Sequence, residues 1–216
     1  MISSFAPATH AHTNGSPAPG SAKRYRTILL FGAPGSGKGT IGKVLGSIPG
    51  FVHCACGDVF RTLDLGSQLG RVFVDYSSKG LLVPNEQTIE LWKESIDGLV
   101  GTHAFVPERD TLVLDGIPRN VEQAHILDHH IDVQRVFHLV CLDEALMFER
   151  LRRRALKENR LDDASDDVIR RRWDVYNEES RPVLAHYPSD LVQLVDASAP
   201  PVNVLHTVLG HLVAPK

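Results

Sequence analysis

The chain has 216 residues, of which 43% are hydrophobic and 23% are charged, an ordinary balance for a globular protein. This composition excludes a wholly disordered chain, and no apolar run approaches the roughly 18–20 residues of a membrane-spanning helix. The 23 basic and 26 acidic residues give a net charge of −3, which argues against nucleic acid as a partner. We expect neither a nucleic-acid nor a membrane partner.

Residues 1–26 differ in composition from the rest of the chain. They are rich in Ser, Ala, Pro, Gly, Thr and His, contain no acidic residue and end in a basic cluster. We interpret them as a flexible tail before a domain at 27–213. An organelle-targeting segment is the alternative, since the stretch is acid-poor and basic toward its end. Three cysteines without paired spacing predict neither disulfides nor zinc, which favours a reducing, cytoplasmic location.

From Thr27 onward, short apolar runs alternate with stretches typical of helices. The predicted strands are 28–31, 111–114, 136–142 and 191–195. The predicted helices are 86–99, 143–156 and 166–176. Strands that alternate with helices predict an α/β fold with a parallel sheet covered on both faces.

A glycine-rich loop, Gly-Ala-Pro-Gly-Ser-Gly-Lys-Gly-Thr at residues 32–40, follows the first predicted strand. Its glycines allow several backbone N–H groups to face one phosphate, and a helix starting at Gly37 or Lys38 adds its dipole. The general pattern has Ser or Thr after Gly-Lys to meet Mg²⁺, whereas Gly39 stands there and Thr40 follows. We therefore expect the metal to be held mainly by water and by carboxylates elsewhere.

Further motifs follow this loop in order. They are Gly57-Asp58-Val59-Phe60-Arg61, Leu114-Asp115-Gly116-Ile117-Pro118-Arg119 with Gln123, Arg160-Leu161-Asp162-Asp163, and Arg170 with Arg172. Together with the loop, they resemble the adenylate kinase family of nucleoside monophosphate kinases. The resemblance implies a P-loop NTPase fold, with five parallel strands flanked by helices. It also implies a small mobile monophosphate-binding region at about 56–83 and a short mobile lid at about 154–172.

The activity implied by the resemblance is transfer of the γ-phosphoryl group of Mg·ATP to AMP, which gives two ADP. This chemistry crowds negative charges together and needs no dedicated base, so catalysis depends on positioning and on positive charge. The residues implied to surround the transferred group are Lys38, Arg119, Arg154, Arg160 and Arg172. The ATP-binding set is Gly35, Ser36, Gly37, Lys38, Gly39, Thr40 and Arg150. The AMP-binding set is Cys56, Gly57, Arg61, Val83, Gly116, Arg119 and Gln123. Asp115 and Asp58 are implied to bind Mg²⁺ through water.

The predicted lid is short, because only the five residues at 155–159 separate Arg154 from Arg160. Family members with a long lid carry a small extra domain there, sometimes with a four-cysteine zinc site. This chain has neither the length nor the cysteines, so we expect a helical flap without zinc. Mg²⁺ is the only expected cofactor, and a monomer is expected.

The choice of monophosphate depends on Gln123 and Cys56. In the resembled family, a Gln at position 123 pairs with adenine, since an amide offers a donor and an acceptor to the base edge. Cys56 stands where AMP-specific members usually have Thr and pyrimidine-specific members often have Ala. A UMP/CMP kinase or other monophosphate kinase is therefore the alternative. A nucleotide-binding sensor without turnover is a further alternative, against which the intact lysine and arginines argue.

Overall fold

The computed structural model describes residues 24–158, 160 and 165–213. Within these ranges lie five strands: β1 (Tyr25–Phe31), β2 (Phe51–Ala55), β3 (Thr111–Asp115), β4 (Ile131–Val140) and β5 (Val192–Asp196). The α-helices there are α1 (Lys38–Leu45), α2 (Cys56–Arg61), α3 (Gln68–Ser77), α4 (Asn85–Gly101), α5 (Val121–Leu127), α6 (Glu144–Glu158), α7 (Asp166–Val175) and α8 (Pro201–Val213). A π-helical turn (Tyr176–Ser180) and a 3-10 helix (Arg181–His186) follow α7.

The strands form one parallel sheet in the order β2-β3-β1-β4-β5. This confirms the predicted α/β class, with a five-stranded parallel sheet flanked by helices. The strand order reverses at β1, which pairs with β3 on one side and β4 on the other. In open parallel sheets, ligands bind beyond the carboxyl ends of the strands at such a point.

The central strand β1 contributes alternate side chains to two cores. Leu29 and Phe31 pack in the core that contains Trp92 of α4. Ile28 and Leu30 pack on the opposite face, in the core that contains Ile41 of α1. This alternation is the two-residue period of a strand, and helices on both faces leave β1 buried throughout its apolar run.

The predicted elements are incomplete, since neither α5 nor α8 was predicted, and the strand bounds differ from those observed. The three predicted helices are α4, α6 and α7, with ends shifted by at most two residues. The strand predicted at 136–142 is wrong at both ends, because β4 begins at Ile131, where it pairs with Tyr25, and stops before the exposed Leu142. Polar residues in its first half conceal its start. No apolar run predicted β2, whose five residues include His53.

Most of the predicted tail, residues 1–23, lies outside the described part of the chain, as do lid residues 159 and 161–164. β1 begins at Tyr25, inside the stretch interpreted as tail. Among the helices in the described ranges, none combines the length and the apolar character that crossing a membrane requires.

Candidate active site

A cleft of about 1390 Å³ opens beyond the carboxyl ends of β1 and β3. Every residue predicted from the sequence to bind nucleotide, metal or the transferred group lines it. The cleft exceeds the roughly 300–1,000 Å³ of an ordinary small-molecule pocket, so it has room for two nucleotides side by side.

The phosphate loop joins β1 to the first turn of α1. Gly35 and Gly37 have φ angles of 87° and 93°, which side-chain-bearing residues rarely adopt. A Cβ at Gly35 would also lie 2.9 Å from the carbonyl oxygen of Met147. Lys38 Nζ curls back over the loop and donates to the carbonyl oxygens of Gly32 at 2.7 Å and Ala33 at 3.2 Å. The first turn of α1 lines the cleft, so the unpaired N–H groups and the positive end of the helix dipole are available to an anion there.

Two other loop positions have distinct structural roles. The Ser36 N–H donates to the carbonyl oxygen of Ala33 at 3.1 Å, and its side chain is 2% exposed, so Ser36 shapes the loop. A Cβ at Gly39 would lie 3.5 Å from Asp115 Oδ2. The carboxylate at the end of β3 thus approaches the first turn of α1, beside Thr40. Carboxylate and hydroxyl oxygens are ligands that suit Mg²⁺, so this position fits the predicted metal.

Positive charge converges on Lys38. Burial lowers the pKa of Lys38 to about 8; Asp115 acts in the opposite direction, and Arg119, Arg154 and Arg172 lower the pKa further. These arginines come from the loop after β3, from α6 and from α7 respectively. Guanidinium groups from distant parts of the sequence therefore surround one buried ammonium, an arrangement that favours a polyanionic ligand.

A second anion position lies where Arg61 and Arg119 meet. A Cβ at Gly57 would lie 3.1 Å from Arg61 Nη1 and 3.8 Å from Arg119 Nη2. Arg119 Nε donates to the carbonyl oxygen of Gly116 at 2.8 Å, and Arg61 Nη1 donates to Asp58 Oδ1 at 3.0 Å. Two convergent guanidinium groups suit a terminal phosphate. Asp58 therefore lies beside these two guanidinium groups.

Gln123 is held in one orientation by a network that was not predicted. Its Oε1 accepts from the Arg119 N–H at 2.7 Å, and its Nε2 donates to Asn85 Oδ1 at 2.9 Å. Asn85 Oδ1 also accepts from Asn120 Nδ2 at 2.9 Å, while Asn85 Nδ2 donates to Glu122 Oε2 at 2.6 Å. Because Oδ1 receives both donors, the Gln123 amide has its nitrogen toward α4 and its oxygen toward Arg119.

Cys56 and Val83 line the same end of the cleft as Gln123. Cys56 begins α2 directly after β2 and is 3% exposed. Burial raises the pKa of its thiol to about 12, so the thiol is neutral and only a weak donor. The carbonyl oxygen of Val83 accepts from the buried Thr88 Oγ1 at 3.3 Å, which holds the backbone at the edge of the cleft.

The opposite end of the cleft lies beyond β5. Arg150 Nη1 donates to the carbonyl oxygen of Ala197 at 2.8 Å, so its planar guanidinium is fixed there. Ala197 was not among the predicted residues, although its position just after a predicted strand is a signal for the carboxyl edge of the sheet. Trp173 Nε1 donates to the carbonyl oxygen of Pro34 at 3.2 Å and so anchors α7 to the phosphate loop. Arg160 is 10% exposed, with Nη1 3.4 Å from Glu158 Oε2.

Comparison with known proteins agrees with this geometry. A family model described as adenylate kinase matches residues 30–192. The chain is 34% identical to the adenylate kinase of Thermobifida fusca, over 80% of the chain and 90% of that protein. It is 30% identical to bovine adenylate kinase isoenzyme 1, over 90% of the chain and 97% of that protein. Because the family model covers most of the chain and these relatives align along nearly their whole length, the chain belongs to the adenylate kinase family.

Proposed function

We propose that this protein transfers the γ-phosphoryl group of Mg·ATP to AMP and so forms two ADP. As a member of the adenylate kinase family, it is a nucleoside monophosphate kinase, and the names of its relatives support AMP as the acceptor. The observation that carries the proposal is the convergence of Arg119, Arg154 and Arg172 on Lys38, beside the second anion position at Gly57. One phosphate-binding position thus adjoins another in the same cleft.

The transfer needs no proton acceptor from the protein. A phosphate oxygen of AMP attacks the γ-phosphorus, the bond to the β–γ bridging oxygen breaks, and its electron pair leaves with ADP. The attacking oxygen is already anionic, so the protein contributes alignment and charge stabilisation. Arg61 and Arg119 orient the acceptor phosphate, while Lys38 and the arginines of α6 and α7 stabilise the charge on the transferred group.

Mg²⁺ neutralises charge on the β- and γ-phosphate oxygens when it is bound with ATP. Asp115 and Thr40 are the residues best placed to hold it through water, since Gly39 leaves space for the carboxylate beside α1. Asp58 is the weaker candidate, because its carboxylate accepts from Arg61.

The orientation of Gln123 supports adenine as the acceptor base. Oε1 and Nε2 each have one hydrogen-bond partner in the network, so each retains one lone pair or one N–H. These remaining groups match the N6 amine and N1 of adenine. A pyrimidine presents a smaller ring to the same position. Cys56 is the reason to keep CMP and UMP as alternative acceptors, because its neutral thiol replaces the hydroxyl that is usual in AMP-specific members of the family.

The two flanks of the cleft meet at Gly80. A Cβ there would lie 2.9 Å from the carbonyl oxygen of Val168 and 3.1 Å from Arg172 Cγ. The proposed monophosphate-binding region at 56–83 thus contacts α7, which belongs to the proposed lid segment at 154–172. We infer that the flanks separate to admit nucleotides and close to exclude water, which would otherwise accept the phosphoryl group.

The test is ADP formation by the purified full-length chain with Mg·ATP and AMP, followed by chromatography of all nucleotides. We expect two ADP for each AMP consumed and no ADP without an acceptor. Tight ATP binding with no turnover of any monophosphate would refute the proposal and support the nucleotide-binding sensor.

A monomer, a cytoplasmic location and a flexible tail at 1–26 stay predictions alongside this activity. Sedimentation of the full-length chain tests the first. Imaging of the full-length chain against a variant lacking residues 1–23 tests whether the tail directs location.

A further inference from the structure

A cluster of two histidines and one aspartate lies outside the cleft, at the carboxyl end of α5. His125 is in the last turn of α5, Asp128 directly follows the helix, and His186 ends the 3-10 helix. One ligand atom from each residue lies within 4.8 Å of the other two. His186 Nε2 is 2.9 Å from Asp128 Oδ2, and the rings of His125 and His186 meet edge to face with centroids 4.7 Å apart.

A simple ion pair accounts for only part of this arrangement. Asp128 and His186 form the pair, and the imidazole of His125 packs edge to face on that of His186. Two imidazoles and one carboxylate form a ligand set for a metal of the zinc type. Arg24 Nη1 donates to the backbone oxygen of Asp128 at 3.5 Å.

The distances between the ligand atoms of the cluster are close to those found around a coordinated metal ion. Tetrahedral zinc with bonds of about 2.0–2.2 Å separates its ligand atoms by about 3.3–3.5 Å. In the cluster, His186 Nε2 lies 2.9 Å from Asp128 Oδ2, and all three ligand atoms lie within 4.8 Å of one another. His125 is exposed, so rotation of its side chain can close the longer separations. A water molecule would complete the coordination.

We propose that His125, Asp128 and His186 bind a divalent transition-metal ion of the Zn²⁺ class. Two imidazole ligands do not suit Mg²⁺, which prefers oxygen ligands and near-ideal octahedral geometry. The proposed site therefore differs from the one proposed for Mg²⁺ in the cleft. The ion ties the end of α5 to the 3-10 helix, two segments 58 residues apart in the sequence. Both segments begin at the cleft: Gln123 lies in the first turn of α5, and Ser180 immediately precedes the 3-10 helix. Binding therefore stabilises the folded protein at a point remote from the phosphates.

Calorimetric titration of the full-length protein with Zn²⁺, paired with thermal unfolding in its presence, tests the site. We expect a saturable binding event that raises the unfolding temperature. His125→Ala and His186→Ala should each weaken it at least tenfold, and Asp128→Asn should weaken it less. The control variants His129→Ala and His206→Ala each remove one exposed imidazole outside the cluster and should bind as the parent does.

Co²⁺ absorption and the double variant His125→Ala/His186→Ala identify the ligands. We expect visible d–d bands typical of nitrogen and oxygen ligands, which the double variant loses. ADP formation and circular dichroism should be unchanged in that variant, which verifies its fold. Unchanged Zn²⁺ affinity in the double variant would overturn the proposal, because it would place the ion elsewhere, such as at His10 and His12. A thiolate-to-cobalt charge-transfer band would overturn it as well, because it would assign the ion to cysteine.

Discussion

The phosphate end of the cleft, formed by the phosphate loop, and the proposed base end, which contains Gln123, are built in different ways. The phosphate end consists of nine consecutive residues, 32–40, which join β1 to the first turn of α1 and are supplemented by arginines. The base end is assembled from Cys56 after β2, Asn85 in α4 and Gln123 in α5. In the proposed function, backbone and charge hold phosphate at the first, and hydrogen-bonding side chains determine base identity at the second.

This difference separates reaction class from substrate choice. The phosphate loop depends on conformations that only glycine adopts easily, so its sequence leaves little freedom. The base end depends on an amide whose orientation is set by a neighbour 38 residues away. We therefore expect changes at the phosphate end to abolish transfer for every acceptor, and changes at the base end to redistribute activity among acceptors.

Lys38→Met should have the largest effect. It removes the buried ammonium on which three arginines converge, so kcat should fall by about 10²–10³-fold or more, the scale found when one preorganised electrostatic group is lost. Steady-state ADP formation with AMP and with CMP measures it, and both rates should fall together. Lys93→Met removes an exposed lysine of α4 and serves as the control. An unchanged kcat in Lys38→Met would refute the role of the loop.

Gln123→Ala should act on one acceptor only. The loss of a two-point contact to adenine, worth about 1–3 kcal/mol, should lower kcat/KM for AMP by about 10–100-fold. The same ratio for CMP should change little, because CMP does not use the contact. Equal losses with both acceptors would show that Gln123 supports the fold rather than the base.

ATP affinity should fall as the pH rises above about 8. Burial lowers the pKa of Lys38 to about 8 in the free protein, and bound phosphates raise it again, so binding above this pH takes up a proton. Below pH 8 the lysine is already charged, and its contribution to the pH dependence disappears. The affinity should fall by up to about tenfold per pH unit in equilibrium titrations. Lys38→Arg keeps its charge over this range, so its affinity should stay nearly constant.

Among these variants, Asn85→Ala should have the smallest effect on activity. It leaves Gln123 in place but removes the acceptor that orients Nε2, so KM for AMP should rise by a few-fold to about tenfold, with kcat nearly unchanged. Glu122→Ala is the control, since it removes only the outer partner of Asn85. If Asn85→Ala leaves KM unchanged while Gln123→Ala does not, orientation by Asn85 is unnecessary.

Patterns within a short stretch of sequence predict the elements whose structure depends mainly on neighbouring residues. The apolar run of β1, the glycines at 32–40 and the helices α4, α6 and α7 were all visible in the sequence. β2 was not, because a strand of five residues that contains His53 has too little apolar periodicity to distinguish it. The start of β4 was missed because polar residues follow Ile131.

Contacts between distant residues could not be predicted from one sequence. Trp173 reaches Pro34 across 139 positions, and Asn85 reaches Gln123 across 38. His125 and His186 likewise show no metal-ligand spacing, since the fold alone brings them together. The sequence could therefore indicate which residues line the cleft, but not which neighbours hold those side chains in place.

The most direct test of this account is kcat/KM for AMP, CMP, UMP, GMP and dAMP, each measured with Mg·ATP and the unaltered protein. We predict turnover with a clear preference for the adenine monophosphates, because the held Gln123 amide matches the adenine edge. A preference for CMP or UMP would contradict the role given to Gln123 and assign base choice to Cys56. An absence of transfer to every acceptor would contradict the central claim that the converging cations form a phosphoryl-transfer site.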